Sequence, residues 1–191
     1  MAPLEGRPVA LIAALLLTMV VSTAMGAIMV VAGIERRASA GYRLAVDLRA
    51  AADGMLALTV EELGASDWSA VLAGSGSTHW RAPQQELDVP ALTAALQAET
   101  MMGSAHGADT PVWQAFSQAS WAAVTGEPGP ARVAAWVADD WSEQDGDPGR
   151  DSNGLLLVRA VAASGVAAAW TEALCGRDAD GRIRLRHARS W

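Results

Sequence analysis

The stretch VVAGIERRASAGYRLAVDLRAAADGMLAL, Val30 to Leu58, starts as the end of an apolar run and becomes charged with no proline to divide the two. Its reading decides the fold. Taken at 100° per residue from Ile34 onward, Ile34, Ala38, Ala45, Leu48, Ala52, Met55, Leu56 and Leu63 fall on one side. Glu35, Arg36, Arg43, Asp47, Asp53 and Glu61 fall opposite, as in an amphipathic helix. Gly41 and Gly54 each cost about 1 kcal/mol against Ala in such a helix, so they read as tolerated irregularities or points of close approach.

Working toward the N-terminus, positions 9 to 33 carry no charge and no proline and are dense in Leu, Val, Ile, Met and Ala. At 1.5 Å per residue that is about 37 Å of helix, enough to cross a hydrocarbon core of about 30 Å. The run is longer than the apolar core of a cleaved secretory signal, about 7–15 residues. Pro8 sits where a first helical turn accepts it, and the next proline is Pro83. The expectation is one continuous helix: a flank at 1–8, a transmembrane segment at 9–33 and an amphipathic continuation at 34–63.

Beyond it, Gly64 and Ala65 end the helix, and Ser66 or Asp67 can cap a short helix in DWSAVLAG (67–74). In DVPALTAALQAETMM (88–102), Asp88 offers a cap and Pro90 stands near the first turn, which predicts a helix from Pro90 to Met102. The last 80 residues change character. TPVWQAF, ARVAAWVA, GLLLVRAVAA, VAAAWTEAL and GRIRLRHA are short apolar or alternating runs bounded by Gly, Pro, Ser and Asp, the pattern of an antiparallel meander. In the last of them Ile183, Leu185 and His187 alternate with three arginines, which predicts a shared apolar face with His187 packed on it. The fold class is therefore α+β, with a globular part at 64–191.

The formal charge is −7, and the thirteen residues from 139 to 151 hold −5 of it. The 14 positive charges are all Arg and scattered, which is not the footprint of a nucleic-acid binder. No HExxH, CxxC, GxSxG or phosphate-cradling loop occurs, and the three histidines, His79, His106 and His187, have no partners at catalytic spacing; the chain does not read as an enzyme. The lone Cys175 has no intrachain partner and reads as a small buried apolar residue. The acidic loop ADDWSEQDGDPGRDSNG (138–154) gathers oxygen ligands between glycines, as loops for hard cations do. Asp145, Asp147, Asp151 and Asn153 are the ligands such a loop would offer to Ca²⁺, although the EF-hand spacing is missing. The other reading of the same residues is a solvated set of Asx turns between two strands.

GRPVALIAALLLTMV, GIERRASAGYRLAVDLRAAADGMLAL and DWSAVLAG together resemble the N-terminal region of PilX-like type IV pilus-assembly proteins. WVADDWSEQDGDPGRDSNGLLLV is similar to a strand, acidic loop and strand found in some of them. The resemblance covers about Gly6 to Gly74 and implies a pilin-like fold, with a long N-terminal helix packed on a small antiparallel sheet. It implies a minor pilin or pseudopilin that sits in the bacterial inner membrane with its globular part in the periplasm, and that meets other pilin-like subunits through its N-terminal helix. Gly6 would then stand at the prepilin cleavage position. Leu11, five residues on, replaces the glutamate of major pilins and points to a minor component. Arg36, Arg37 and Arg43 outnumber Arg7 around the span, so charge bias alone gives the opposite orientation. Two other readings stay open: a minor pseudopilin of a type II secretion system, and a single-span membrane-anchored extracytoplasmic binding module.

Overall fold

In the computed structural model, residues 7–74, 79–80, 87–103, 107–126, 129, 131–143, 145–165 and 167–191 are described. Gly6 and His106 lie outside them. One helix, α1, runs Arg7–Gly64, and the chain divides into two compact units after Leu44. The amphipathic end of α1 therefore belongs to the same unit as the sheet, which begins at Ala45 and not at the end of the helix.

In the first unit the apolar residues of α1 are exposed all round: Leu15, Val20, Met25, Ile28 and Met29 are each more than half accessible. Its two threonines turn back onto the helix. Thr23 Oγ1 donates to the carbonyl of Met19 at 2.8 Å, and Thr18 does the same to Ala14. The hydroxyls are thus satisfied without solvent, a requirement in hydrocarbon. This helix is long and apolar enough to span a membrane.

In the second unit, Leu48, Ala51, Ala52, Met55, Leu56, Thr59 and Leu63 are buried, while Asp47, Asp53 and Glu61 stay exposed, as the periodicity requires. At Gly54 a Cβ would stand 3.3 Å from Val124 Cγ1, so this glycine is a point of close approach. The helix α2, Trp68–Leu72, follows, with the Asp67 carboxylate accepting from the Ser69 N–H. The Trp68 indole N–H donates to the Leu63 carbonyl at 3.0 Å and so ties α2 to the end of α1.

Among the described residues, six strands form one sheet in chain order: β1 His79–Trp80, β2 Gln114–Ser120, β3 Arg132–Asp139, β4 Leu155–Ser164, β5 Ala167–Arg177 and β6 Ile183–Ser190. β2 to β6 are the expected antiparallel meander. The two-residue β1 adds a parallel edge on Ser117 and Gln118, a pairing that the sequence pattern does not announce. A short helix α4, Trp121–Thr125, also unannounced, is capped by Ser120 and closed by Gly126 at φ +78°.

Helices cover both faces. On one, Met55 of α1 meets Ser117 of β2, beside the buried Ala135, Val137, Val158 and Ala160. On the other, α3, Val89–Gly103, packs Val89 and Leu96 on Trp113, Trp136, Leu157 and Val161. Asp88 caps α3 as expected, accepting from the Ala91 N–H at 3.0 Å. Two indoles are pinned to the same helix: Trp136 Nε1 donates to Thr93 Oγ1 at 2.7 Å and Trp113 Nε1 to Thr100 Oγ1 at 2.8 Å. Each large apolar side chain so buried contributes roughly 1.5–3 kcal/mol.

β6 departs from its sequence reading. Leu174 pairs with His187 but the adjacent Cys175 pairs with Leu185, so Arg186 is an extra residue in a bulge. A bulge reverses the alternation of faces after it. His187 therefore leaves the face of Leu185, and both residues are exposed, not packed as expected.

Candidate functional site

The acidic loop joins β3 to β4, and its geometry starts from the end of β3. Asp139 is the last residue of that buried strand, so its carboxyl is carried inside, as are those of Asp140 and Glu143. Ligand atoms of these three lie within 4.8 Å of one another. Glu143 reaches across the loop, where its Oε1 accepts from the backbone N–H groups of Ser152 (2.8 Å) and Asn153 (2.7 Å) and its Oε2 from Ser152 Oγ (2.7 Å). Asp140 accepts from Ser142 N and from Asn153 Nδ2. Asp139 accepts from Asp140 N. The trio is a clasp that folds the loop back on itself.

The four residues expected to bind calcium are placed differently. Asp145 accepts from Asp147 N at 3.0 Å, Asp147 from Gly149 N at 3.1 Å, and Asp151 from Gly154 N at 2.7 Å. Asn153 Oδ1 takes the Leu155 N–H at 2.7 Å while its amide nitrogen serves Asp140. Each thus closes its own turn, and Asp145, Asp147 and Asp151 do not gather their oxygens in one place. Among the described residues it is Asp139, Asp140 and Glu143 that do. Sequence spacing passed over these three because nothing in it says that β3 ends buried.

The electrostatics follow from that burial. Desolvation, with Glu143 beside it, pushes the Asp139 carboxyl from the ordinary 3.8 up to about 7. Desolvation also raises Asp151, opposed by the Gly154 N–H. Near neutrality Asp139 is therefore partly protonated where an ordinary aspartate would be ionised. Cys175, read as a small buried residue, is fully buried in β5, and burial pushes its thiol up to about 12.

The other candidate feature is the first part of α1. Among the described residues its glycines, Gly26 and Gly33, have nothing within 4 Å of where a Cβ would stand, and its apolar side chains have no cover within the unit.

Compared with protein-family models, with curated proteins and with solved structures, the chain matches none.

Proposed function

We propose that the protein is a minor pilin-like subunit of the PilX-like kind, which takes part in assembling a type IV pilus or a related filament and performs no catalysis. The observation that carries this reading is the single helix Arg7–Gly64: apolar on every side at first, then amphipathic where the sheet buries it. An anchor alone requires only the first part. A subunit that is to be drawn from a bilayer into a filament requires the span to be joined to the folded unit, and one helix runs from the first into the second. In this reading the inner membrane holds the span, the sheet faces the periplasm, and helices of other pilin-like subunits approach along Ala13, Ala14, Ser22, Ala24, Gly26, Ala27, Ala32 and Gly33. The minor pseudopilin of a type II secretion system is the same reading in a sister machine.

A single-span anchored binding module is the second reading, favoured by a cleft on the α3 face of the sheet described below. The two differ in what the span touches. Leucine at Gly26 or Gly33 meets open space within the chain, so its effect reports neighbours. Gly26→Leu and Gly33→Leu should abolish filament assembly and leave membrane residence intact; unchanged assembly would favour the anchored module. The N-terminal sequence and mass of the protein from native membranes, with and without the prepilin peptidase, checks processing after Gly6 independently.

A further inference from the structure

The α3 face of the sheet carries a second cluster of charge, unrelated to the acidic loop. Arg159 of β4 is buried, its side chain 5% accessible, with its guanidinium 5.3 Å from the Trp170 ring and 4.7 Å from that of Trp191. Its two terminal nitrogens donate to Glu99 of α3 at 3.1 and 3.3 Å. Among the described residues its Nε has no hydrogen-bond partner, lying 3.7 Å from Glu172 Oε2, and Glu172 in turn accepts from Arg189 at 2.7 Å. The result is a ladder Glu99, Arg159, Glu172, Arg189 that alternates in sign, sums to zero, and is buried in the middle and open at both ends: Glu99 is 63% and Arg189 60% accessible.

This ladder floors a cleft of about 290 Å³. The rest of the lining is mostly apolar and aromatic, with Trp113, Pro111, Leu157 and the half-exposed Trp141 beside Thr100 and Gly103. An anion or a cation entering it would meet two charges of its own sign beside two of the opposite sign, so the cleft offers no net attraction to an ion. A neutral molecule that both donates and accepts satisfies both ends at once. The volume is at the lower bound for ligand cavities and too small for an acyl chain or a folded peptide. A flat, amphipathic ring with hydroxyls at its rim and C–H groups on its face matches these walls.

We propose that the cleft binds one uncharged pyranose sugar, its C–H face against the Trp141 indole, with hydroxyls donating to Glu99 and accepting from Arg189. The sugar is a free monosaccharide or the terminal ring of a glycan.

The test uses the full chain in lipid nanodiscs, because maltoside and glucoside detergents would compete. Tryptophan fluorescence and calorimetry would follow titration with glucose, galactose, mannose and N-acetylglucosamine, with glucuronate and glucosamine as charged counterparts. A neutral sugar is expected to bind, the charged ones at least about tenfold more weakly. Trp141→Ala and, as a second variant at an exposed position, Glu99→Gln should each weaken binding about tenfold or more, the loss of a stacking wall or of hydrogen bonds to a charged group. Leu185→Ala on β6, outside the cleft, should leave it unchanged. Disaccharides of the bound sugar then separate the two sources: tighter binding marks a glycan end, exclusion marks a free sugar, and both uphold the site. Absence of binding by every neutral sugar, equal binding of the charged ones, or binding untouched by both variants would overturn it.

Discussion

Met25 and Met55 lie on the same helix, yet the first is 60% accessible and the second 1%. What differs is the company each keeps. Around Met25 the neighbours are apolar but for the small Ser22 and Thr23, and among the described residues no part of its own unit covers them. Around Met55 the apolar residues form one stripe, and the sheet lies on it. The comparison teaches that a helix can be uniform in geometry and divided in what stabilises it: tertiary burial from Ala45 onward, and an environment outside the chain before it.

The largest effect that would break this division is a matched pair of truncations. Met55→Ala should cost about 2–5 kcal/mol of unfolding free energy, whereas Met25→Ala should leave the unfolding of the second unit unchanged, measured by urea denaturation followed by near-UV circular dichroism. Comparable losses from both would show that the span contributes to the folded unit. Next come the glycines. Gly54→Leu forces a side chain toward Val124 and should cost about 1–3 kcal/mol, while Gly26→Leu, facing open space, should cost nothing in the same assay.

A smaller effect sharpens the contrast through pH. Asp139 titrates near 7 when folded against an ordinary 3.8, so the folded state holds a proton that the unfolded state has lost over that interval. The stability this group contributes is complete below about 3.8 and is lost as pH rises through 7, with a slope of at most about 1.4 kcal/mol per pH unit for one proton. Denaturation midpoints of the second unit should therefore fall between pH 5 and 8, and Asp139→Asn should flatten the profile; a midpoint that rises with pH would contradict the burial of this carboxyl. The smallest effect belongs to the exposed hydrogen bond from Arg49 of α1 to Ser190 Oγ of β6. Arg49→Ala should cost about 0.5 kcal/mol, within reach of thermal melts only in direct comparison with Met55→Ala.

The elements that could be read from the sequence were those with a long or repeated signal. The unbroken apolar run and the stripe from Leu48 to Leu63 specify α1, Asp67 and Asp88 mark their helices, and five runs between turn residues give the meander. The rest depended on partners distant in sequence. β1 exists only because β2 offers an edge to two residues, and α4 is five residues closed by its caps. The bulge at Arg186 turns His187 over, and a strict alternation in the sequence hides it. In the acidic loop the turn-forming role of Asp145, Asp147, Asp151 and Asn153 was one of the two readings of their spacing. The clasp of Asp139, Asp140 and Glu143 was not, since it needs Glu143 to find N–H groups nine and ten residues away. Likewise the ladder through Arg159 draws one residue each from α3, β4, β5 and β6.

Cys175 is the chain's one thiol, fully buried in β5 and held protonated far above neutral pH. Maleimides and thiosulfonates attack thiolates that they can reach, so the native chain is silent to them. A cysteine introduced at any exposed position can be read without first removing the natural one, whether by a fluorophore, a spin label or a bifunctional cross-linker. Placed singly along the first part of α1, such thiols would map which turns of the helix meet lipid, water or another protein in the living cell.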